Sequence, residues 1–289
     1  MSLILVSIIV SVILVVGLLA TNVYYQSVMK LPPNTPSKYL KQQSGNDKQR
    51  PVLVLLGDSI THGRIGVNYA DMVADQLESR NLEIVNAGIN SELAWNALQR
   101  LNEVIDCEPD IVTVLIGTND ANATMSKDIM RGYIKSMKLP REPSSEWYRS
   151  SLTSIVEDLK IKTKAKIALL SIPTIGEDTN DPAFVRSSDY SLIVKEVAEE
   201  TDSTYLPLHE EMIEYLHKTH GSAKYPYEKY KIGIIKGIIS RYLFRRSWDD
   251  IARGSGFTLH VDYLHLNTAG ARMVADLISD FIRSTLPGT

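Results

Sequence analysis

Residues 51–63 read Pro-Val-Leu-Val-Leu-Leu-Gly-Asp-Ser-Ile-Thr-His-Gly, and the fold class turns on them. The run Val52 to Leu56 is apolar without alternation, as in a strand buried on both faces. It ends abruptly in Gly-Asp-Ser, which puts polar residues on the turn leaving the strand. Farther along the chain, short aliphatic runs recur at Ile84 to Asn86, Ile111 to Ile116, Lys166 to Ile172 and Thr204 to Leu206. Between them, Asn68 to Glu78, Ala94 to Val104, Ser145 to Lys160 and Ser188 to Glu199 carry apolar residues at helical spacing, and Ala271 to Ile282 supplies a closing helix. Strands alternating with helices predict an α/β fold with a parallel sheet covered on both faces. Such sheets bind ligands beyond the carboxyl ends of their strands, so the polar residues there are the first candidates for chemistry.

Ser59 stands on the first of those turns. It is not in a G-x-S-x-G elbow, because Thr61 occupies the place of the second glycine. Taken alone, Gly-Asp-Ser is more often just a turn with a helix-capping serine. The second strand ends in Asn86-Ala87-Gly88-Ile89-Asn90 and the third in Gly117-Thr118-Asn119-Asp120. A tetrahedral intermediate needs preorganised donors, and the backbone N–H groups of Ser59 and Gly88 with the Asn119 amide can supply three. Near the C-terminus stands Asp262-Tyr263-Leu264-His265-Leu266-Asn267. A nucleophilic serine needs a base, and a histidine base needs a partner to fix its tautomer, which one Asp-x-x-His turn can carry. Asp58 and Asp120 read as turn and hydrogen-bonding residues.

Together, Gly-Asp-Ser, the glycine of Asn-Ala-Gly, Gly-Thr-Asn-Asp and Asp-x-x-His-Leu-Asn, in that order over residues 52–283, resemble the SGNH (GDSL-like) hydrolase family. The resemblance implies a flavodoxin-like three-layer sandwich with Ser59 as nucleophile and His265 as general base and then acid. It further implies that Asp262 orients His265, that Ser59, Gly88 and Asn119 form the oxyanion hole, and that neither metal nor organic cofactor is required. Ile60 stands where the family name has leucine, an apolar exchange that leaves activity as the expectation.

Bulk properties narrow the partners. The 289 residues carry a formal charge of -3, which gives no footprint for nucleic acid. The six histidines lack the Cys/His spacing of a structural zinc site. The single cysteine, Cys107, excludes an intramolecular disulfide and reads as a packing residue.

Leu3 to Ala20 is interrupted only by Ser7 and Ser11 and nearly matches a hydrocarbon layer of about 30 Å at ~1.5 Å per residue. Residues 1–24 are expected to be an uncleaved transmembrane anchor rather than the alternative, a signal peptide. Met1 and Ser2 bring no basic start, and Leu18 ill suits a cleavage site after Ala20. Lys30, Lys38, Lys41, Lys48 and Arg50 against Asp47 favour the cytoplasmic side for the following domain by the positive-inside rule, whereas enzymes of this general layout often act outside the membrane, so the sequence leaves the side open. Residues 25–50 are expected as a flexible tether and 51–289 as the hydrolase domain, with a long insertion at about 208–259.

Within that insertion, Lys229, Lys231, Lys236, Arg241, Arg245 and Arg246 alternate with Ile232, Ile234, Ile235, Ile238, Ile239, Leu243 and Phe244. This is the composition of a helix on an anionic membrane, or of a cap over the site with a solvated basic face. The expected partners are therefore an ester substrate and a membrane, met through residues 3–20 and, on the first of those two readings, the stretch 229–246. The sequence assigns no oligomeric state. A lipid or lysophospholipid ester is the leading substrate expectation, glycan O-acetyl esters the runner-up, and a non-catalytic membrane-tethered binder the alternative of another class. Asn122-Ala-Thr matches a glycosylation sequon, but a glycan there would crowd the site.

Overall fold

The structure, a computed structural model, describes residues 3–43, 50–219 and 221–286. In chain order the helices and strands are α1 (Leu3–Tyr24), α2 (Pro36–Gln43), β1 (Val52–Gly57), α3 (Ser59–His62), α4 (Tyr69–Gln76), β2 (Glu83–Gly88), α5 (Ala94–Gln99), α6 (Asn102–Ile105), β3 (Ile111–Leu115) and α7 (Thr118–Ala123). The chain continues through α8 (Lys127–Ser136), α9 (Ser145–Lys162), β4 (Lys166–Leu170), α10 (Pro182–Glu200), β5 (Thr204–Leu206), α11 (Leu208–Thr219), α12 (Tyr230–Tyr242), α13 (Trp248–Ser255) and α14 (Thr268–Thr285). A π-helical turn, Tyr25–Met29, extends α1.

The five strands are parallel in the order β2-β1-β3-β4-β5, the doubly wound flavodoxin-like arrangement. Chain direction across the sheet reverses between β1 and β3, so a crevice forms beyond their carboxyl ends. The pleat of β1 feeds two cores. Val52, Val54 and Leu56 pack with Ala97 of α5, Leu152 of α9 and Val194 of α10. Leu53 and Leu55 pack with Val73 of α4, Met212 of α11 and Ile278 of α14. The apolar run that lacked alternation is thus explained: both faces are covered. Cys107 lies in the first core with its thiol pushed up to about 12 by burial, a packing residue as expected.

The helix ends follow local chemistry. Asn68, Ser126, Ser144, Asp181, Ser247 and Asn267 cap α4, α8, α9, α10, α13 and α14 through side-chain acceptors. The helix expected over Ala94 to Val104 breaks into α5 and α6 around Arg100, whose guanidinium turns back to grip Glu92 and the carbonyl of Ala87.

The segment Ile4–Met29 is helical, long and apolar enough to cross a membrane, a property that signal sequences share. Of the flexible tether expected for residues 25–50, the described stretch 25–43 makes contacts with the domain. Ser27 is buried, Tyr39 of α2 enters the core, and Asn34 lies along β2. The Asn34 carbonyl accepts the Asn86 N–H at 2.8 Å, and its amide donates to the Ile84 carbonyl at 2.7 Å. β2 is an edge strand, and this segment covers its open hydrogen-bonding groups. Residues 44–49, with Asp47 and Lys48 of the expected tether, lie outside the described residues, as do Met1, Ser2, His220 and residues 287–289.

The insertion expected at about 208–259 contains α11, α12 and α13. α11 belongs to the sandwich itself, whereas α12 and α13 pack on each other beside the carboxyl edge of the sheet through Ile234, Ile238, Trp248 and Ile251.

Candidate active site

β1 ends at Gly57, and Asp58 turns the chain by accepting the Ile60 N–H on Oδ1 at 3.0 Å. Ser59 is therefore the first residue of α3, where the helix offers its N–H no internal partner. Gly63 closes the short helix in the left-handed region, φ 71°. The nucleophile candidate sits at the β1/β3 crevice because a buried strand, an aspartate cap and a four-residue helix force the turn there.

The loop before α14 approaches from the other side. His260 pairs with Leu266 as an antiparallel bridge, and Val261 N–H donates to the His265 carbonyl at 2.8 Å, so Asp262 to His265 forms the tip of a tight turn. Within it the Asp262 carboxylate accepts the Leu264 and His265 N–H groups at 2.7 and 2.9 Å. His265 Nδ1 lies 3.0 Å from Asp262 Oδ2, and Nε2 lies 3.0 Å from Ser59 Oγ. With Nδ1 facing a carboxylate, its proton resides there, leaving Nε2 to accept from the serine. Burial works to lower the His265 pKa, but the Asp262 charge and hydrogen bond outweigh it and raise it. Burial likewise opposes ionisation of Asp262, while His265 and the two backbone donors hold its carboxyl below the usual range. The other nearby histidine, His62, is no competing base: burial first, then the Arg64 charge, lower it to about 4.

Asn119, at the start of α7, reaches the same crevice. Its Nδ2 donates to the Glu92 carbonyl at 3.0 Å and has a looser contact to Asp58 Oδ2 at 3.3 Å. Its Oδ1 accepts the Tyr133 hydroxyl at 2.7 Å. Gly117 precedes it at φ 128°, with the Tyr148 ring against its open side, a place with no room for a side chain. Asp58 and Asp120 behave as the hydrogen-bonding residues expected, the latter accepting the Ala94 N–H at 3.0 Å; burial raises both carboxyls to about 7. Asn122, the sequon residue, is fully buried and donates to Tyr133 and Tyr230 at 3.0 and 3.3 Å.

The structure does not bring Gly88 to the crevice. Its N–H donates to Asn86 Oδ1 at 2.9 Å, and a Cβ there would run into the backbone of His62. It is a glycine because α3 packs directly onto β2. Three residues on, Ser91 lines the crevice with a left-handed backbone, φ 65°. Ser91, Tyr133 and Val28 are site residues that sequence reasoning missed. Turn composition at Asn90-Ser91 was the only available signal for the first.

Ser59, Asn119 and His265 open into a cavity of about 320 Å³, walled by Val28, Ile65, Ile129, Tyr133, Tyr230 and Ile234. No group of three or more His, Cys, Asp or Glu suited to a metal occurs among the described residues.

A serine, an imidazole and a carboxylate lie in series within hydrogen-bond distance at the carboxyl edge of a doubly wound sheet, an arrangement that suits acyl transfer. The chain belongs to the GDSL-like Lipase/Acylhydrolase family, whose family model matches residues 55–273. An acetylxylan esterase of Geobacillus stearothermophilus is 27% identical over 171 residues, covering 53% of this chain and 74% of that protein. The crystal structure of an acetylxylan esterase from the same organism superposes with TM-score 0.55 at 22% identity, covering 81% of this chain and 93% of that one. A lipase/acylhydrolase from Enterococcus faecalis gives TM-score 0.54 at 20% identity over 83% and 98% of the two chains. At such identities the structural likenesses speak for the fold. The family match and the esterase relative make this chain a carboxylic ester hydrolase.

Proposed function

We propose that the chain is a membrane-anchored serine esterase acting on acyl lipids such as lysophospholipids. The observation that carries this reading is that the Ser59–His265–Asp262 relay opens into a largely apolar cavity, one wall of which, Val28, belongs to the turn that extends α1. An acyl chain fits such a lining. At about 320 Å³ the cavity stands at the small end of ligand pockets, roughly 300–1,000 Å³, so it holds the acyl segment next to the ester and leaves the rest outside.

In the proposed reaction, His265 Nε2 takes the Ser59 proton as Oγ bonds to the ester carbonyl carbon, and the carbonyl electron pair moves onto its oxygen. The Ser59 N–H and one N–H of Asn119 donate to that oxyanion, the Asn119 amide releasing its long contact to Asp58. Ser91 supplies the remaining backbone donor in place of Gly88, because its left-handed turn lies in the cavity whereas the Gly88 N–H is already bonded. The imidazolium, stabilised by Asp262, gives its proton to the leaving alkoxide. Water then attacks the acyl-enzyme by the same path. Asn119→Ala is expected to lower kcat by about 10²–10³ with little change in KM, read with a soluble aryl ester.

Glycan O-acetyl esters are a second reading, favoured by the small cavity and by the likeness to acetylxylan esterases. Turnover of short aryl esters, long-chain lysolipids and acetylated sugars by the full chain in detergent discriminates the two. Preference for lysolipids supports the lipid reading, and preference for acetylated sugars overturns it. A fluorophosphonate probe is expected to label Ser59 alone. Labelling elsewhere, or none in folded protein, would sink the serine mechanism.

A further inference from the structure

α12 has two apolar faces. At ~100° per residue, Tyr230, Ile234, Gly237 and Ile238 fall on one side, and this side packs onto the domain. Ile232, Ile235, Ile239 and Leu243 fall within a separate arc about 80° wide. With Phe244 just beyond the helix, these outward residues are between 39% and 67% exposed. Lys231 and Lys236 flank the arc on either side, and Arg245 and Arg246 come after it. A helix on a water-facing surface would show the opposite pattern, with its polar residues outward. An apolar outer stripe edged by cations suits the boundary between anionic headgroups and acyl chains.

The position of the stripe supplies the second observation. α12 packs against both α1 and the π turn below it. That turn is fixed to the catalytic domain by hydrogen bonds from site loops. Arg64 donates to the Gln26 carbonyl at 2.9 Å and to its side chain at 3.1 Å, and Asn90 donates to the Val28 carbonyl at 3.1 Å. α1 thus enters the domain at the rim of the cavity, its own apolar surface exposed along its length. The outward stripe of α12 thus lies on a helix that touches the base of the span.

We infer that the outward face of α12 is a membrane-docking surface, seated in the anionic headgroup layer of the bilayer that α1 crosses, so that the catalytic cavity opens at the membrane surface. The occupant is lipid rather than protein because the stripe adjoins a membrane-spanning helix and is edged by lysine and arginine. Docking fixes the orientation of the whole domain, since α1, the π turn and α12 form one packed unit. The inference rests on α1 as a span and not on the identity of the ester cleaved.

The test uses the full chain, one copy per nanodisc, with an environment-sensitive fluorophore on Ile235→Cys or Ile239→Cys and, as control, on Ile161→Cys, which is 80% exposed on α9. Native Cys107 is buried, and retained aryl-ester turnover shows that each labelled chain is folded. The expected result is a blue-shifted label at 235 and 239, quenched by spin-labelled lipid at a depth of about 5–10 Å into the headgroup boundary, with the label at 161 unaffected. Replacing phosphatidylglycerol by phosphatidylcholine, or introducing K236E with R245E, is expected to reduce that quenching. Labels at 235 and 239 as solvent-exposed as that at 161 would overturn the inference. So would shielding that appears only in crowded liposomes and not in single-copy nanodiscs, which would assign the stripe to a second copy of the chain.

Discussion

Ser59→Ala and His265→Ala are each expected to abolish ester turnover, with losses in kcat on the order of 10⁶, while the chain remains folded. The two side chains act as one unit, Oγ and Nε2 at 3.0 Å, so the double variant is expected to lose little more than either single one. Asp262→Asn is expected to lose about 10⁴, because an amide opposite Nδ1 favours the wrong tautomer and cannot stabilise the imidazolium. The same variant carries a pH signature. Turnover requires neutral His265, and its pKa is raised above the ordinary histidine value, so the acid limb of kcat/KM in the wild-type chain lies correspondingly high. Removing the Asp262 charge leaves burial, which lowers the pKa, as the chief influence, and the acid limb should move to lower pH. An unchanged or raised acid limb in Asp262→Asn, measured with a pH-independent ester, would break the link between the two residues.

The strands, and the Ser59, His265 and Asp262 that the structure brings together, were legible in sequence because all rest on local pattern. An unbroken aliphatic run such as Val52 to Leu56 needs two covered faces, and β5 occupies the Thr204 to Leu206 run read for it. Ser59 and His265 announce themselves by standing beside a strand end and a helix start. Gly88 shows where pattern reading stops. A glycine after a strand serves equally as a donor or as a point of close approach, and only the seating of α3 on β2 decides for the latter. Ser91 had no distinguishing mark, since a serine in the left-handed region looks in sequence like any serine. The segment 25–43 misled by composition: its prolines, serines, glutamines and lysines read as a linker, but edge strand β2 had hydrogen-bonding groups to cover, which Asn34 meets, and Tyr39 enters the core beside it. α12 was legible in composition but not in orientation, because which of its apolar faces turns inward depends on α13 and the turn below α1.

Glu177 left no trace at all in the sequence reading, yet its removal is expected to produce a large loss of stability. Its carboxylate is buried between the loop after β4 and the start of the loop that carries Asp262 and His265. Oε1 accepts the N–H groups of Leu259 and His260 at 2.7 and 3.0 Å and lies 3.0 Å from His260 Nδ1, while Oε2 accepts the Thr258 N–H and hydroxyl, both at 2.8 Å. The far side of the His260 ring faces the Thr174 carbonyl at 2.8 Å. Burial opposes the charge, but the His260 partner and the backbone donors hold the Glu177 carboxyl below its usual value. A group depressed in the folded state contributes stability that is present above its unfolded value, near 4.5, and is lost as pH falls through the folded one. Glu177→Ala strands those donors without a partner and is expected to cost about 3–5 kcal/mol, with the deficit relative to wild type shrinking on acidification below that range. Denaturant titrations across pH read both effects. Because residues 258–261 lead straight into Asp262 and His265, the variant should also lose turnover at temperatures where it is still folded, and an intact kcat there would show that the catalytic turn is held from elsewhere.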